Sequence, residues 1–234
     1  MKSPSGEYAL KGNYHLDLDQ DWPYRLVYLE KMRIVEKMFS RFNPTDRIID
    51  LGCGEGALVQ KYRQRGWNFV GLDANYESEF VIRGNLLAMQ FSSASFDLIL
   101  CLDVLEHLVF ADQEKAVKEI ARILRPGGAL ILSLPNLAHF ASRLSFLVKG
   151  KLLRTSGIER HPGDRPIEEY LRLLKPYYSV VERHGIFPTF PLISLLTIWK
   201  PAKSMFLHRI YNRLWTFPNW CFLNILLSIR NADR

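Results

Sequence analysis

The sequence predicts an α/β fold, a mostly parallel sheet with helices on both faces, on three observations. The stretch Ile48-Ile49-Asp50-Leu51-Gly52-Cys53-Gly54-Glu55-Gly56 is an apolar run ended by an acid and followed by three glycines in five residues, after which Ala57, Leu58 and Tyr62 take up helical spacing. That is the order strand, tight turn, helix. Glycines in such a turn accept positive φ and let a ligand approach the backbone and the helix N-terminus. A second short apolar run ended by an acid, Asn68-Phe69-Val70-Gly71-Leu72-Asp73, follows about 20 residues later, where such folds carry a ligand-binding carboxylate. Short β-rich runs then alternate with helical patterns, and βα alternation calls for a parallel sheet covered on both faces.

The elements follow in order. Leu26, Leu29, Ile34 and Met38 recur at helical spacing and predict a helix over 24–40, so that 1–44 forms an N-terminal lid and helix over the site. Strands read over 47–51, 68–73, 80–83, 96–102 and 129–134, with helices over 57–64 and 114–124 between them. Further on, 167–174 reads as a helix, 178–184 as a strand and 223–229 as the last strand. A chain of 234 residues with 48% apolar and 24% charged residues buries one core. It divides as one domain into the lid, a core over 45–185, a basic aromatic insertion over 186–219, and the last strand with the C-terminus over 220–234.

Composition narrows the setting. The N-terminus lacks the apolar stretch of a secretory signal and no uninterrupted apolar run reaches bilayer length, so the expected location is cytoplasmic, with peripheral membrane contact open. Cys53, Cys101 and Cys221 show no metal or redox spacing, and their odd number fits a reducing compartment. From Ile186 to the end there are six Lys/Arg and one acid, Asp233, so this segment holds +5 of the net +7. Within it Phe187, Phe190, Trp199, Phe206, Tyr211, Trp215 and Phe217 alternate with Lys200, Lys203, Arg209 and Arg213. Three readings stand: a helical hairpin with its aromatic side on the core and a solvated basic face, a contact with an anionic membrane or lipid-linked substrate, or a nucleic-acid surface.

The glycine loop is selective about its ligand. A dinucleotide fingerprint wants Gly-x-Gly-x-x-Gly, whereas this chain has Gly-x-Gly-x-Gly preceded by Asp50, whose charge repels a pyrophosphate and suits an α-amino group or a sulfonium. No Gly-Lys-Ser/Thr follows, which excludes a Walker loop. Asp73 is placed to accept from ribose hydroxyls.

On these residues the chain resembles the class I S-adenosylmethionine-dependent methyltransferases, Rossmann-like enzymes whose seventh strand runs antiparallel beside the fifth. Ser95-Phe96-Asp97-Leu98-Ile99-Leu100-Cys101-Leu102-Asp103 and the turn Val104-Leu105-Glu106-His107-Leu108 are similar to the family's fourth strand and the turn after it. Arg122-Ile123-Leu124-Arg125-Pro126-Gly127-Gly128 with Ala129-Leu130-Ile131-Leu132-Ser133 is similar to its helix-to-fifth-strand segment, so the likeness covers roughly 46–136. The resemblance implies S-adenosyl-L-methionine as methyl donor. It implies that Asp50 and the backbone of Gly52 and Gly54 hold the amino acid end, Asp73 the ribose and Asn85-Leu86 the adenine edge, with Cys53 and Leu102 also against the cofactor. Asn85 stands where many relatives carry Asp. Its amide carbonyl can also accept, or it is simply a turn residue; Asp50 could likewise be a structural carboxylate at the top of the sheet.

The acceptor side centres on Asp103-Val104-Leu105-Glu106-His107. In a helical turn, spacings of three and four put Asp103, Glu106 and His107 on one side, giving a general base, a divalent-metal site or a set of turn caps. The segment resembles the acid-x-x-Glu-His motif of the ubiquinone-pathway O-methyltransferases and the small-RNA 2′-O-methyltransferases, where these residues can hold a metal. Those relatives imply a further His after the fifth strand, with His161 the first candidate and His139 the second. The Leu105-Glu106-His107 motif and the Pro135-Asn136 turn resemble the branch that O-methylates hydroxylated small molecules and glycans, and the basic aromatic insertion suggests a lipid-linked acceptor. A nucleic-acid (RNA) methyltransferase would suit the pI near 9.3, but the chain lacks the Asn/Asp-Pro-Pro-aromatic motif of amino-group methylases. A catalytically silent S-adenosylmethionine-binding scaffold is opposed by the intact Asp50, Gly52, Gly54 and Asp73.

Overall fold

The structure is a computed structural model that describes residues 22, 24–154, 156–214 and 217–232. Residues 1–21 of the expected lid, Trp215, Asp233 and the side chain of Lys203 lie outside the described residues. Seven strands, β1 Ile48–Leu51, β2 Phe69–Asp73, β3 Val81–Arg83, β4 Phe96–Leu102, β5 Leu124–Pro135, β6 Tyr178–Pro188 and β7 Cys221–Arg230, form one sheet in the order β3-β2-β1-β4-β5-β7-β6. The pairs among β1 to β5 are parallel, and β7 runs antiparallel to both β5 and β6, as expected of the last strand. The helices are α1 Arg25–Phe39, α2 Ala57–Arg63, α3 Phe110–Ile123, α4 Phe140–Lys149, α5 Ile167–Leu174, α6 Pro191–Trp199 and α7 Pro201–Leu214.

Strand alternation splits the core into two layers. Ile49, Leu51, Ile99, Leu130 and Leu132 meet Val117 and Ile120 of α3 and Tyr170 and Leu174 of α5. Ile48, Leu98, Leu100 and Ile131 point the other way, onto Ile34, Val35 and Met38 of α1 and Val59 and Tyr62 of α2. Each such side chain contributes roughly 1.5–3 kcal/mol on leaving water, enough for a few of them to hold α1 over the sheet.

Several elements differ from expectation. β5 starts at Leu124, ahead of the Arg-Pro-Gly-Gly stretch that reads as a turn. The register against β4 shifts between Phe96 and Leu98, pairing Phe96 with Leu124 and Leu98 with Ala129, and Gly127 at φ +72 absorbs the extra length. α3 starts at Phe110, before the expected residue 114; its first turn exposes Phe110 and so offers no apolar stripe to mark the start. α4 is unforeseen: it buries only Ser142, and is bounded by a His139 cap that accepts from Ser142 N–H and by Gly150 at φ +64. Finally, β6 runs on to Pro188, and the insertion after it is a helical hairpin, α6 and α7. Its aromatics divide: Phe187, Phe190 and Tyr211 pack on the core, whereas Trp199, Phe206 and Phe217 are exposed. Among the described residues no helix is long and apolar enough to cross a membrane.

Candidate active site

At the carboxyl ends of β1, β2 and β4, beneath α1, lies a cavity of about 400 Å³. Its wall includes all of Asp50, Gly52, Cys53, Gly54, Asp73, Asn85, Leu86 and Leu102, together with Asp103 and His107. The glycine loop is shaped by backbone need. Gly52, Gly54 and Gly56 take φ +73, +57 and +78, and a Cβ on Gly52 would lie 2.5 Å from Val104 Cγ2.

Asp73 fastens that loop. Its Oδ2 accepts from Gly54 N–H at 2.8 Å, and Oδ1 accepts from the N–H groups of Asn75 at 2.8 Å and Tyr76 at 3.2 Å. A carboxylate has about four acceptor positions, so Asp73 retains capacity toward a ligand. Asn85 sits exposed at the rim, its Oδ1 accepting from Leu87 N–H at 2.9 Å in a side-chain turn. Asp50 is buried, and burial together with the charge of Asp73 pushes its carboxyl up to about 7 against the opposing charge of Lys31.

Lys31 is a charged wall residue that sequence reasoning missed. It is buried on α1, with Nζ 2.5 Å from Asp103 Oδ2 and 5.0 Å from the Tyr28 ring. A signal was present, because Lys31 falls in the helical register of the buried Val27, Ile34, Val35 and Met38. Asp103 itself has φ +55, its N–H donates to Ser133 O, and the Ser133 hydroxyl donates to Oδ1. Enclosure pushes its carboxyl up, but Lys31 and Ser133 outweigh that and hold it below the usual carboxylate range.

The left-handed residue also separates Asp103 from the expected trio. The helical turn begins only at Leu105, as a 3-10 turn over Leu105–His107, and the Asp103 carboxylate turns to Lys31 and Ser133. Glu106 and His107 pair instead with His161: the ligand atoms of these three lie within 4.8 Å of one another. The two imidazole rings are perpendicular with centroids 4.7 Å apart. His107 Nδ1 lies 2.9 Å from Arg160 O, so Nδ1–H donates there and the lone pair sits on Nε2. Burial and the charge of His161 lower its pKa. Glu106 is buried, its Oε2 has no hydrogen-bond partner among the described residues, and burial and the charge of Asp103 push its carboxyl well up. His161 Nδ1 is 3.4 Å from Asp164 Oδ1. His139 lies apart, bonded through Nδ1 to Thr189 Oγ1 at 2.8 Å.

Gln113 is a second missed residue. Its buried amide donates to Leu105 O and to Gly163 O, both at 2.8 Å, and so joins the Glu106-His107 turn to the loop that carries His161. Gly163 N–H donates back to Glu106 O at 3.1 Å, and a Cβ on Gly163 would overlap Leu108 O.

Comparison with known proteins agrees with this geometry. The profile of a family described as a methyltransferase domain matches residues 24–202. An uncharacterized protein of Methanocaldococcus jannaschii is 33% identical over 166 residues, 67% of this chain and 69% of that one. A probable S-adenosylmethionine-dependent methyltransferase of Mycolicibacterium smegmatis is 33% identical over 104 residues, 40% of each chain. A ubiquinone biosynthesis O-methyltransferase of Sinorhizobium medicae is 26% identical over 207 residues, 78% of this chain and 80% of that one. Among solved structures, the PH0226 protein of Pyrococcus horikoshii superposes with a TM-score of 0.58 at 13% identity over 93% of this chain and 98% of that one, a likeness of fold. With 179 of its residues matched by the family and with the sheet order and glycine-loop cavity described above, the chain belongs to the methyltransferase-domain family and is a class I S-adenosylmethionine-dependent methyltransferase.

Proposed function

We propose that the chain transfers a methyl group from S-adenosylmethionine to a hydroxyl oxygen of a small molecule, glycan or lipid-linked acceptor. The observation that carries this reading is one cavity joining the Gly52–Gly54 loop, Asp50 and Asp73 to Asp103 and His107. When bound, the donor supplies an electrophilic methyl group on a cationic sulfur. The residues fit it: the backbone of Gly52 and Gly54, at positive φ, lines the cavity, and Asp50 is a carboxylate whose ionisation a cationic ligand favours. In this reading Asp50 and the Gly52 and Gly54 backbone hold the amino acid end, Asp73 the ribose, Asn85 and Leu86 the adenine, with Cys53 and Leu102 packing alongside. Lys31 holds Asp103 at the acceptor side, and α1 keeps water out.

His107 Nε2 takes the proton from the acceptor hydroxyl as its oxygen becomes the nucleophile. A lowered pKa keeps this imidazole neutral at pH 7, as a base must be. The relatives named ubiquinone biosynthesis O-methyltransferase support an oxygen acceptor. A second reading is favoured by the unpartnered Glu106 Oε2: Glu106, His107 and His161 would hold a divalent cation, which would polarise the acceptor oxygen and lower its hydroxyl pKa. The tests separate the two. For a base, His107→Ala loses turnover while binding of S-adenosylhomocysteine is unchanged, imidazole restores activity, and chelation has no effect. For the metal, chelation removes turnover and added divalent ion restores it. Full activity of His107→Ala would exclude both.

A further inference from the structure

The helices that follow β5 and β6 carry apolar side chains the core does not use. On α4, Phe146, Leu147 and Val148 are 57%, 83% and 70% exposed, and on α6 Leu192 and Trp199 are 77% and 75% exposed. Leaving this much apolar surface in water is unfavourable, and exposed apolar side chains gathered on neighbouring elements mark a contact site. Both helices spring from one joint. Phe140 meets Phe190 edge-on with centroids 4.8 Å apart, and Thr189 Oγ1 bonds to His139 Nδ1 at 2.8 Å and accepts from Ala141 N–H at 2.9 Å. That joint lies at the carboxyl ends of β5 and β6, the end of the sheet at which the cavity lies. α7 continues from α6 and packs against α1, the helix that roofs the cavity.

Charge identifies the partner. Neither 139–158 nor 185–214 contains an acid, and together they hold eight basic residues: Arg143, Lys149, Lys151, Arg154, Lys200, Lys203, Arg209 and Arg213. Of the chain's 31 Lys and Arg these leave 23 against 24 acids, so the whole positive excess lies in the two segments. A second copy using the same face would set these charges against each other. Single-stranded nucleic acid stacks its bases on aromatic rings and has no use for exposed Leu147, Val148 and Leu192. Exposed aliphatic and Trp side chains on acid-free segments rich in Lys and Arg match the acyl boundary and headgroups of an anionic bilayer.

We propose that α4 and the α6–α7 hairpin form a platform that docks on an anionic lipid bilayer, with Leu147, Val148, Leu192 and Trp199 in the interface and Lys149, Lys151, Arg209 and Arg213 on the headgroups. The platform sets the active-site end of the sheet against the membrane, from which an amphipathic hydroxylated acceptor reaches the cavity. Its purpose rests on the proposed reaction, but its test does not. The whole chain is sedimented with vesicles of phosphatidylcholine and phosphatidylglycerol and with vesicles of phosphatidylcholine alone. Binding is expected only with the anionic lipid and to fall as salt is raised. The variant L147S/V148S/L192S/W199S is expected in the supernatant. The variant K149Q/K151Q/R209Q/R213Q is expected to bind several hundredfold more weakly, at about fivefold for each charge, corresponding to about 1 kcal/mol per basic residue near an anionic surface. Both should bind S-adenosylhomocysteine as the wild type does and keep its thermal midpoint. Absence of vesicle binding, equal binding to both lipids, wild-type retention of the apolar variant, or a dimer that this variant dissociates would each overturn the proposal. Vesicle binding without S-adenosylhomocysteine binding would sink the methyltransferase reading and leave the platform standing.

Discussion

Replacing Asp50 with Asn isolates the cost of keeping a carboxylate in the wall of the cavity. Asp50 is 6% exposed, and its surroundings raise its pKa from 3.8 to about 7. Because the folded-state pKa is the higher, the folded protein prefers the protonated acid. The stability this group contributes is therefore present in full below the unfolded pKa and lost as pH rises through about 7. The gap of about three pH units, at about 1.4 kcal/mol each, sets an upper bound of about 4 kcal/mol. At about pH 8, Asp50→Asn should therefore be more stable than the wild type by up to that amount, and at about pH 4 the difference should nearly vanish. Urea unfolding followed by circular dichroism at the two pH values measures it. Binding should move the other way: without the carboxylate, the affinity for S-adenosylmethionine should fall at least tenfold, the loss of roughly one charge-assisted hydrogen bond. A variant less stable than the wild type at about pH 8, or one whose gain is equal at both pH values, would refute the reasoning.

Other substitutions test other walls of the same cavity. Gly52→Ala places a methyl group 2.5 Å from Val104 Cγ2 at φ +73 and should cost about 1–3 kcal/mol and abolish saturable S-adenosylhomocysteine binding; wild-type affinity would contradict the cradle. Lys31→Met leaves Asp103 without its cation. The Asp103 side chain is 36% open, so the loss in urea unfolding should be about 1–3 kcal/mol, less than for a fully enclosed pair, and no loss would show the pair to be incidental. Gly163→Ala overlaps Leu108 O and the Gln113 amide, and should cost about 1–3 kcal/mol and misalign His161; an unchanged melting temperature would argue against the brace. Because burial and His161 lower the His107 pKa, turnover should persist on acidification through the ordinary imidazole range and fail only below it. A midpoint above that range would exclude His107 as the base.

The fold was legible wherever its signals were local. Apolar runs ending in Asp50 and Asp73, and glycines between strand and helix, need no knowledge of distant partners, and the cofactor-side residues they mark line one cavity. What escaped depends on contacts far along the chain. The start of β5 is set by a register shift against β4, and Arg-Pro-Gly-Gly gives no local sign of remaining in the sheet. Lys31 reads as a solvated helix residue until Asp103, 72 positions later, comes to meet it. Gln113 reads as an exposed amide, yet it is buried by the carbonyl of Gly163, 50 positions away. Helical spacing placed Asp103 beside Glu106 and His107, but with φ +55 it stays outside the turn and gives its carboxylate to Lys31 and Ser133. α4 gave no stripe to read because its apolar residues face outward.

The measurement closest to the central claim is a calorimetric titration of the purified chain with S-adenosylhomocysteine, alongside Asp73→Ala shown by circular dichroism to be folded. Saturable one-to-one binding by the wild type and its loss in Asp73→Ala are the predicted result, because Asp73 both fastens the Gly54 turn and faces the cavity. No heat of binding from folded wild-type protein free of copurified ligand, or unchanged affinity in Asp73→Ala, would contradict the assignment of this cavity to the methyl donor.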